Sequence, residues 1–213
     1  NMHYILMSSI ELADWESFGA PLTGSLKGYD NNISISVTGQ PIFNAIASTG
    51  KFENFTLSGE VNGGGFVANL NQGSIKNVTI TVQSSTSSPS LVNGGYEFDG
   101  NLYAGAIVGI NEGSIGAEDG EVRIEGVTVD IATGDNLSYA GMFAGSNSGA
   151  ISYTYGEFYI FDQTESGNDV INTITAAYVG GFVGSLTGGS ITHSYVFNYT
   201  FDENGTFTAN ALN

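Results

Sequence analysis

The chain has 213 residues and a formal net charge of -17, with 4 Lys and Arg against 21 Asp and Glu. So few cations leave a nucleic-acid backbone without a counter-charge, and no run of 18 apolar residues is present to cross a bilayer. With 41% hydrophobic residues and no Cys, the chain is too apolar for a disordered acidic tail and has no disulfides. We therefore expect a folded domain with no nucleic-acid partner and no direct membrane insertion.

From residue 41 onward the chain repeats a twelve-residue block. The tenth position is always Gly, which predicts a turn with positive φ, and the twelfth is always large and apolar, which predicts a core position. The blocks are Pro41–Phe52, Gly64–Ile75, Ala104–Ile115, Ala140–Ile151 and Gly180–Ile191. The recurring residues are Gly50, Gly73, Gly113, Gly149 and Gly189, with Phe52, Ile75, Ile115, Ile151 and Ile191 two positions later.

Alternating β-branched and aromatic residues follow the blocks, as in Val78–Val82 and Val127–Ile131. Such runs predict strands, and no helix-length stretch has a period of 3.6. The block starts at 41 and 64 are 23 residues apart, about one turn of a β-solenoid. We therefore predict an all-β chain, a parallel β-helix (β-solenoid) of about five coils, with loop insertions on one side.

Asn recurs at the eighth block position, as Asn71, Asn111 and Asn147. In stacked coils these residues would lie one above another, so a ladder of side-chain amides is one prediction. The alternative is that Asn is merely tolerated in a turn.

The block resembles the GLUG repeat of bacterial surface proteins, most closely at Gly180–Ile191. Tyr4–Ile35 is similar to a leader that precedes such repeats, although Ser9 and Tyr29–Asn31 depart from it. The same arrangement occurs in adhesin-like proteins and in the N-terminal region of immunoglobulin-A-cleaving metalloproteases. The resemblance implies a right-handed β-helix on a secreted, extracellular or cell-surface protein, and it carries no catalytic residues.

The domain organisation follows from the block and the leader. Residues 1–40 are predicted to form N-terminal capping strands, and residues 41–213 the β-solenoid repeats. We expect a single structural domain that is a segment of a larger protein.

An acidic segment carries the residues that come nearest to a metal site. Asp162, Glu165 and Asp169 bear oxygen side chains at spacings like those of a calcium loop. However, Thr173 stands where such a loop requires a bidentate Glu. We expect the tip of an acidic insertion and no cofactor, with a weak calcium site as the alternative.

Two insertions carry aromatic residues among Ser, Gly and Asn. Tyr96, Phe98 and Tyr103 lie in the first, and Tyr155 and Tyr159 in the second. Tyrosines beside amides can stack on sugar rings and hydrogen-bond sugar hydroxyls, which makes these residues candidates for ligand binding. The alternative is that they pack an edge hairpin onto the coils.

These observations favour a non-catalytic module that acts in adhesion or as a rigid spacer. Its expected partners are a host or microbial surface glycan or protein and further domains of the parent protein. One alternative is a polysaccharide-active enzyme, a glycoside hydrolase or lyase; another is an accessory N-terminal domain of a surface metalloprotease. No catalytic residues are predicted, because the carboxylates do not recur at one repeat position.

Overall fold

The computed structural model describes residues 2–30, 32–83, 88–131, 137–160, 174–201 and 207–212. Of residues 157–160, 174–175, 197–201 and 207–212 it describes the backbone alone. The described residues form strands joined by turns, with no helix among them, so the chain is all-β as the sequence predicts. It follows that this part of the chain has no helix long and apolar enough to span a membrane.

The described residues form 25 strands. In chain order they are β1 (His3–Leu6), β2 (Ile10–Trp15), β3 (Ser25–Gly28), β4 (Ser34–Gly39), β5 (Phe43–Ile46), β6 (Lys51–Gly63), β7 (Ala68–Asn71), β8 (Ser74–Ile80), β9 (Ser90–Gly94), β10 (Tyr96–Phe98), β11 (Asn101–Gly105), β12 (Val108–Asn111), β13 (Ser114–Ile115), β14 (Val122–Ile124), β15 (Val127–Asp130), β16 (Ser138–Gly141), β17 (Ala144–Asn147), β18 (Ala150–Ser152), β19 (Thr154–Ile160), β20 (Ile174–Thr175), β21 (Tyr178–Gly180), β22 (Val183–Leu186), β23 (Ser190–Thr192), β24 (Tyr195–Phe201) and β25 (Phe207–Leu212).

The strands belong to three sheets. Sheet A has 16 strands and includes β1 to β4, β6, β8 and β24. Sheet B is the five-stranded series β5, β7, β12, β17 and β22, and sheet C is the four-stranded series β10, β11, β16 and β21. Among the described strand pairs, β10–β11 and β24–β25 are antiparallel and the others are parallel. Parallel sheets built from strands far apart in the sequence are compatible with a β-helix.

One ladder in sheet A shows how the repeats align. The chain returns to the same ladder position at His3, Ser25, Lys51, Ser74, Ser114, Ala150 and Ser190. The residues that follow form a column of apolar side chains: Tyr4, Leu26, Phe52, Ile75, Ile115, Ile151 and Ile191. The leader strands β1 and β3 thus continue the ladder of the sequence blocks.

Two blocks are out of register with their gapless sequence alignment. Ile46 pairs with Asn71, although the alignment places Ser48 there. Leu186 pairs with Asn147, where the alignment places Thr187. In both repeats the turn between the sheet B strand and the block glycine is longer. The pairing of β5 and β22 is therefore shifted, whereas Gly50 and Gly189 still align with the other block glycines.

In the described part of the chain, extra residues of the longer repeats enter at three places along the ladders. Residues 81–90 follow the position of Ile80, the β10–β11 hairpin follows Gly94, and residues 116–121 follow Ile115. Residues 84–87, 132–136 and 161–173 of the insertions lie outside the described residues, so the location of the insertions on one side stays a prediction.

A column of glycines lets successive repeats approach each other closely. A Cβ on Gly73 would overlap the carbonyl oxygen of Gly50, and a Cβ on Gly113 would overlap that of Gly73. Those oxygens accept hydrogen bonds from the amides of Ser74 at 3.0 Å and Ser114 at 2.8 Å. Gly149 and Gly189 continue the column, and Gly24 extends it into the leader.

Glycine is thus required at these block positions mainly because a side chain would overlap the backbone of the neighbouring repeat. Gly189 alone among the five has positive φ, at 71°, so the predicted positive φ is wrong for Gly50, Gly73, Gly113 and Gly149. The backbone at those four positions is one that other residues adopt, but a side chain would displace the neighbouring strand.

Apolar side chains from the sheets meet in one core. Phe52 and Phe55 stack with ring centroids 4.6 Å apart, and Phe143 stacks on Phe182 at 5.8 Å. Phe52, Phe55 and Phe143 are at most 1% exposed. Because each repeat adds similar side chains at similar positions, the core runs through the stack of strands.

We expect Gly113→Ala to destabilise the protein by about 3 kcal/mol, because the methyl group pushes the strand off the carbonyl oxygen of Gly73. Gly19→Ala is the matched control, since a Cβ there meets nothing within 4 Å. Urea unfolding followed by circular dichroism measures both. Equal unfolding midpoints for the two variants would show that the glycine column does not limit the spacing.

Candidate functional site

The buried asparagines form the amide ladder that the block pattern predicts. Asn71, Asn111 and Asn147 are fully buried. Nδ2 of Asn71 donates to Oδ1 of Asn111 at 2.8 Å, and Nδ2 of Asn111 donates to Oδ1 of Asn147 at 2.6 Å. Each amide offers both a donor and an acceptor, and backbone groups complete the two ends: Oδ1 of Asn71 accepts from the amide of Gly73, and Nδ2 of Asn147 donates to the carbonyl oxygen of Gly149.

The ladder stops where the repeats change. Ile46 takes the place of Asn beside Asn71, and Leu186 takes it beside Asn147. Ile46 is fully buried, whereas Leu186 is 59% exposed. The asparagines therefore hold the middle repeats together, and they offer no accessible group to a ligand.

A second column lies within β6 and β8 and continues between β18 and β19 and between β23 and β24. Asn54, Asn77, Tyr153 and His193 all have positive φ, between 49° and 66°. Nδ2 of Asn77 donates to Oδ1 of Asn54 at 2.9 Å, and the rings of Tyr153 and His193 stack at 4.9 Å. Non-glycine residues rarely adopt this conformation, so the contacts along the column help to hold it. His193 is exposed, and its ring packs on Tyr153.

Three tyrosines stack along sheet C. Tyr103 and Tyr139 have ring centroids 5.3 Å apart, and Tyr139 and Tyr178 are 4.9 Å apart, with interplanar angles of 14° and 13°. These distances are close to the spacing of paired strands, because the rings stand on equivalent positions of β11, β16 and β21. Burial is the largest cause of a raised pKa for the Tyr103 phenol, followed by the neighbouring Tyr139.

Tyr139 and Tyr178 were missed by the sequence analysis, although a signal was present. Tyr103 and Tyr139 each precede the first residue of a block, and Tyr178 stands two residues before a block. Tyr139 covers one ring face of Tyr103, and the assignment of Tyr103 to ligand binding stays a prediction.

The five aromatic residues predicted to bind a ligand do not form one site. Tyr96, Phe98 and Tyr103 lie on sheet C, where Tyr96 and Phe98 stack at 6.3 Å. Tyr155 and Tyr159 lie on β19 of sheet A, and the side chain of Tyr159 is outside the described part of the chain.

Tyr155 has neighbours of its own on sheet A. The ring of Tyr195 meets it edge-on at 4.5 Å, and the guanidinium carbon of Arg123 lies 5.5 Å from its centroid. Arg123, Tyr155 and Tyr195 occupy one column of paired positions, so this cluster follows from the register.

The residues predicted as a weak metal site, Asp162, Glu165 and Asp169, lie outside the described residues. Within the described ranges, no group of three or more His, Asp or Glu side chains is close enough to hold a metal ion. The calcium alternative therefore stays a prediction.

Two of the four basic side chains, Lys76 and Arg123, pair with acidic ones. Nζ of Lys76 lies 2.7 Å from Oδ2 of Asp119 and 3.8 Å from Oε1 of Glu53. The hydrogen bond to Asp119 raises the pKa of Lys76, and the same contact lowers the pKa of Asp119. Arg123 pairs with Glu121 at 2.5 Å, and both are half-exposed. These pairs are weak, because water screens them.

A polar cleft opens where strands of the three sheets come together. Its volume is about 560 Å³. Its walls carry amide side chains, one tyrosine and bare glycine backbone, and we call it the amide cleft. The lining residues are Gln40, Asn62, Gly63, Asn69, Asn93, Gly94, Gly95 and Tyr96. Tyr96 is the one residue of the cleft that the sequence analysis proposed. Among the amides, Asn69 belongs to the Gly64–Ile75 block, whereas Gln40, Asn62 and Asn93 lie outside the blocks.

An apolar cavity of similar volume, about 560 Å³, lies beside β1. Apolar side chains form most of its wall, among them Tyr4, Leu6, Phe18, Leu22 and Phe43. Neither this cavity nor the amide cleft has an Asp or Glu in its lining. The paired carboxylates that glycoside hydrolysis requires are thus absent from both linings.

The Gly180–Ile191 block continues the glycine and apolar columns of the earlier repeats. This part of the chain also carries the similarity to a known sequence family. Residues 175–201 match the model of the GLUG motif. The motif extends from the end of β20 through β24 and is consistent with a GLUG-repeat region, as the sequence predicts. No curated protein and no solved structure matches the chain. Similarity to adhesins or to metalloproteases stays a prediction.

We expect Asn111→Asp to reduce stability by roughly 3 kcal/mol at pH 7, because an ionised carboxylate cannot donate to Asn147 and is fully buried. Part of the loss should be regained at pH 4, where a protonated carboxyl group can donate again. Urea unfolding at both pH values measures this, with each midpoint taken relative to the unsubstituted protein.

Asn62→Asp is the control for that experiment, because Asn62 is exposed. Its stability should stay within about 0.5 kcal/mol of the unsubstituted protein. If both variants lose the same stability, the buried ladder has no special role.

Proposed function

We propose that this chain is a non-catalytic module of a secreted or cell-surface bacterial protein, wound as a right-handed parallel β-helix. In this proposal each return of the sheet A ladder is one coil, so the leader strands add coils to the five sequence blocks. The module acts in adhesion or as a rigid spacer. The GLUG motif suggests such a surface-protein module, and the all-parallel ladders between repeats are compatible with the winding.

The observation that carries the proposal is the unbroken ladder from His3 to Ser190. In a β-helix the hydrogen bonds between repeats run along the long axis of the stack. Glycine contacts, the asparagine ladder and stacked rings follow the same direction. A stack built in this way resists bending, which is what a spacer requires.

The partners we propose are a surface glycan or protein and further domains of the parent protein. Within the sequence blocks only Lys51 and Glu112 are charged, so the net charge of -17 lies outside the blocks, most of it in the connections between them. The connections are therefore the variable, acidic part of the surface, and recognition belongs there. The alternatives of a polysaccharide-active enzyme and of an accessory metalloprotease domain have no structural observation that favours them.

Surface location is tested on cells that produce the parent protein. An antibody raised against this chain should label intact cells, and mild external protease should remove the label. An antibody against a cytoplasmic protein, which should label permeabilised cells only, is the control. Label that appears only after permeabilisation would overturn the proposal.

The spacer role is tested by pulling single molecules by their two ends. Repeats are 22 to 40 residues apart along the ladder, so unzipping one coil at a time should release steps of roughly 7–14 nm. Gly19→Ala, whose added methyl group meets no neighbour, should give the same steps. Release of the whole chain in a single step, or smooth extension without steps, would contradict a stack of coils.

A further inference from the structure

The amide cleft has the chemistry of a binding site. The side-chain amides of Gln40, Asn62 and Asn93 make no hydrogen bond to any described residue, although all three line the cleft. Asn62 and Asn93 are partners in the parallel pair of β6 and β9, so their side chains are neighbours on one wall. Unpaired amides grouped in a concave surface are ready to exchange water for a polar ligand.

One amide of the cleft is fixed in place. Asn69 is 8% exposed, and its Oδ1 accepts a hydrogen bond from the amide of Gly64 at 2.7 Å. Its Nδ2 donates to Oδ1 of Asn44 at 3.0 Å, which leaves a second N–H. These two bonds hold the side chain in one orientation, so a ligand that meets it does not have to order it first.

An aromatic ring borders the same cleft. Tyr96 stands at the start of β10 and is half-buried, and Phe98 stacks on it at 6.3 Å with an interplanar angle of 23°. Gly94 and Gly95, both with positive φ, directly precede β10 and have no side chain that would fill the cleft. The ring therefore lies close to the amides with bare backbone between them.

The lining selects the class of ligand. Sugar hydroxyls both donate and accept hydrogen bonds, as amides do, and aromatic rings pack against the apolar faces of sugars. No charged side chain lines the cleft, and the chain carries a net charge of -17. A phosphate, sulfate or uronate would therefore meet no counter-charge there.

We propose that the amide cleft binds a short segment of a neutral saccharide, with Asn62, Asn69 and Asn93 as hydrogen-bonding residues and Tyr96 as the ring beside the sugar. Its volume of about 560 Å³ is within the range of small-ligand sites. This inference names the ligand class for the adhesion role proposed above and rests on that role. The two proposals can be overturned separately, because saccharide binding is measured on the purified chain and surface location is measured on cells.

The test presents the purified chain to an array that holds neutral gluco-, manno-, galacto-, xylo- and chito-oligosaccharides beside sialylated, sulfated and uronate glycans. The expected result is binding to one or more neutral glycans and none to the anionic set. Titration of the best neutral glycan, followed by NMR of the side-chain amides, should shift the resonances of Asn62 and Asn93. Binding to no neutral glycan would overturn the proposal, as would equal binding to anionic ones.

Variants locate the site. Asn62→Ala combined with Asn93→Ala should weaken binding of that glycan at least about tenfold, while the thermal unfolding temperature stays the same because both side chains lack hydrogen-bond partners in the described part of the chain. Asn32→Ala, at an exposed position that does not line the cleft, is the matched control and should bind as before. Unchanged binding by the double variant would place the glycan elsewhere and overturn the assignment.

Discussion

The structure depends on one close approach, in which the backbone of each repeat passes the glycine of the repeat before it. The amide that follows Gly73 donates to the carbonyl oxygen of Gly50, and the amide that follows Gly113 donates to that of Gly73. A methyl group at either glycine would occupy the place of the oxygen. Because this spacing is kept, side chains at equal positions come within contact distance from one repeat to the next.

The same spacing explains why columns of like residues recur in this chain. Amides at the position of Asn71 lie at hydrogen-bonding distance, and phenol rings at the position of Tyr103 lie at stacking distance. A polar column in the interior is stable only if every member finds a partner, which a self-complementary amide provides. Where a repeat lacks the amide, as at Ile46, an apolar residue fills the place and the ladder ends.

The connections between repeats follow a different rule from the blocks. They vary in length, enter the stack at three places in the described part of the chain, and hold most of the net charge. Because the ladders fix the backbone on either side, a connection can vary without disturbing the core. The amide cleft lies where such connections leave the ladders, beside Gly63 and Gly94. A rigid stack that carries variable connections suits a surface module, since recognition can change while the core is kept.

The sequence by itself determined the all-β class, the repeat, the columns headed by Gly50 and Phe52, and the possibility of an asparagine ladder. It could do so because these residues recur at fixed offsets inside a block. Tertiary structure alone decided the strand register at Ile46 and Leu186, where extra turn residues shift a strand without changing the motif. It also decided which residues outside the blocks meet. In the amide cleft, Gln40, Asn62, Asn93 and Tyr96 come from outside the blocks, and only backbone hydrogen bonding between repeats makes them neighbours of each other and of Asn69.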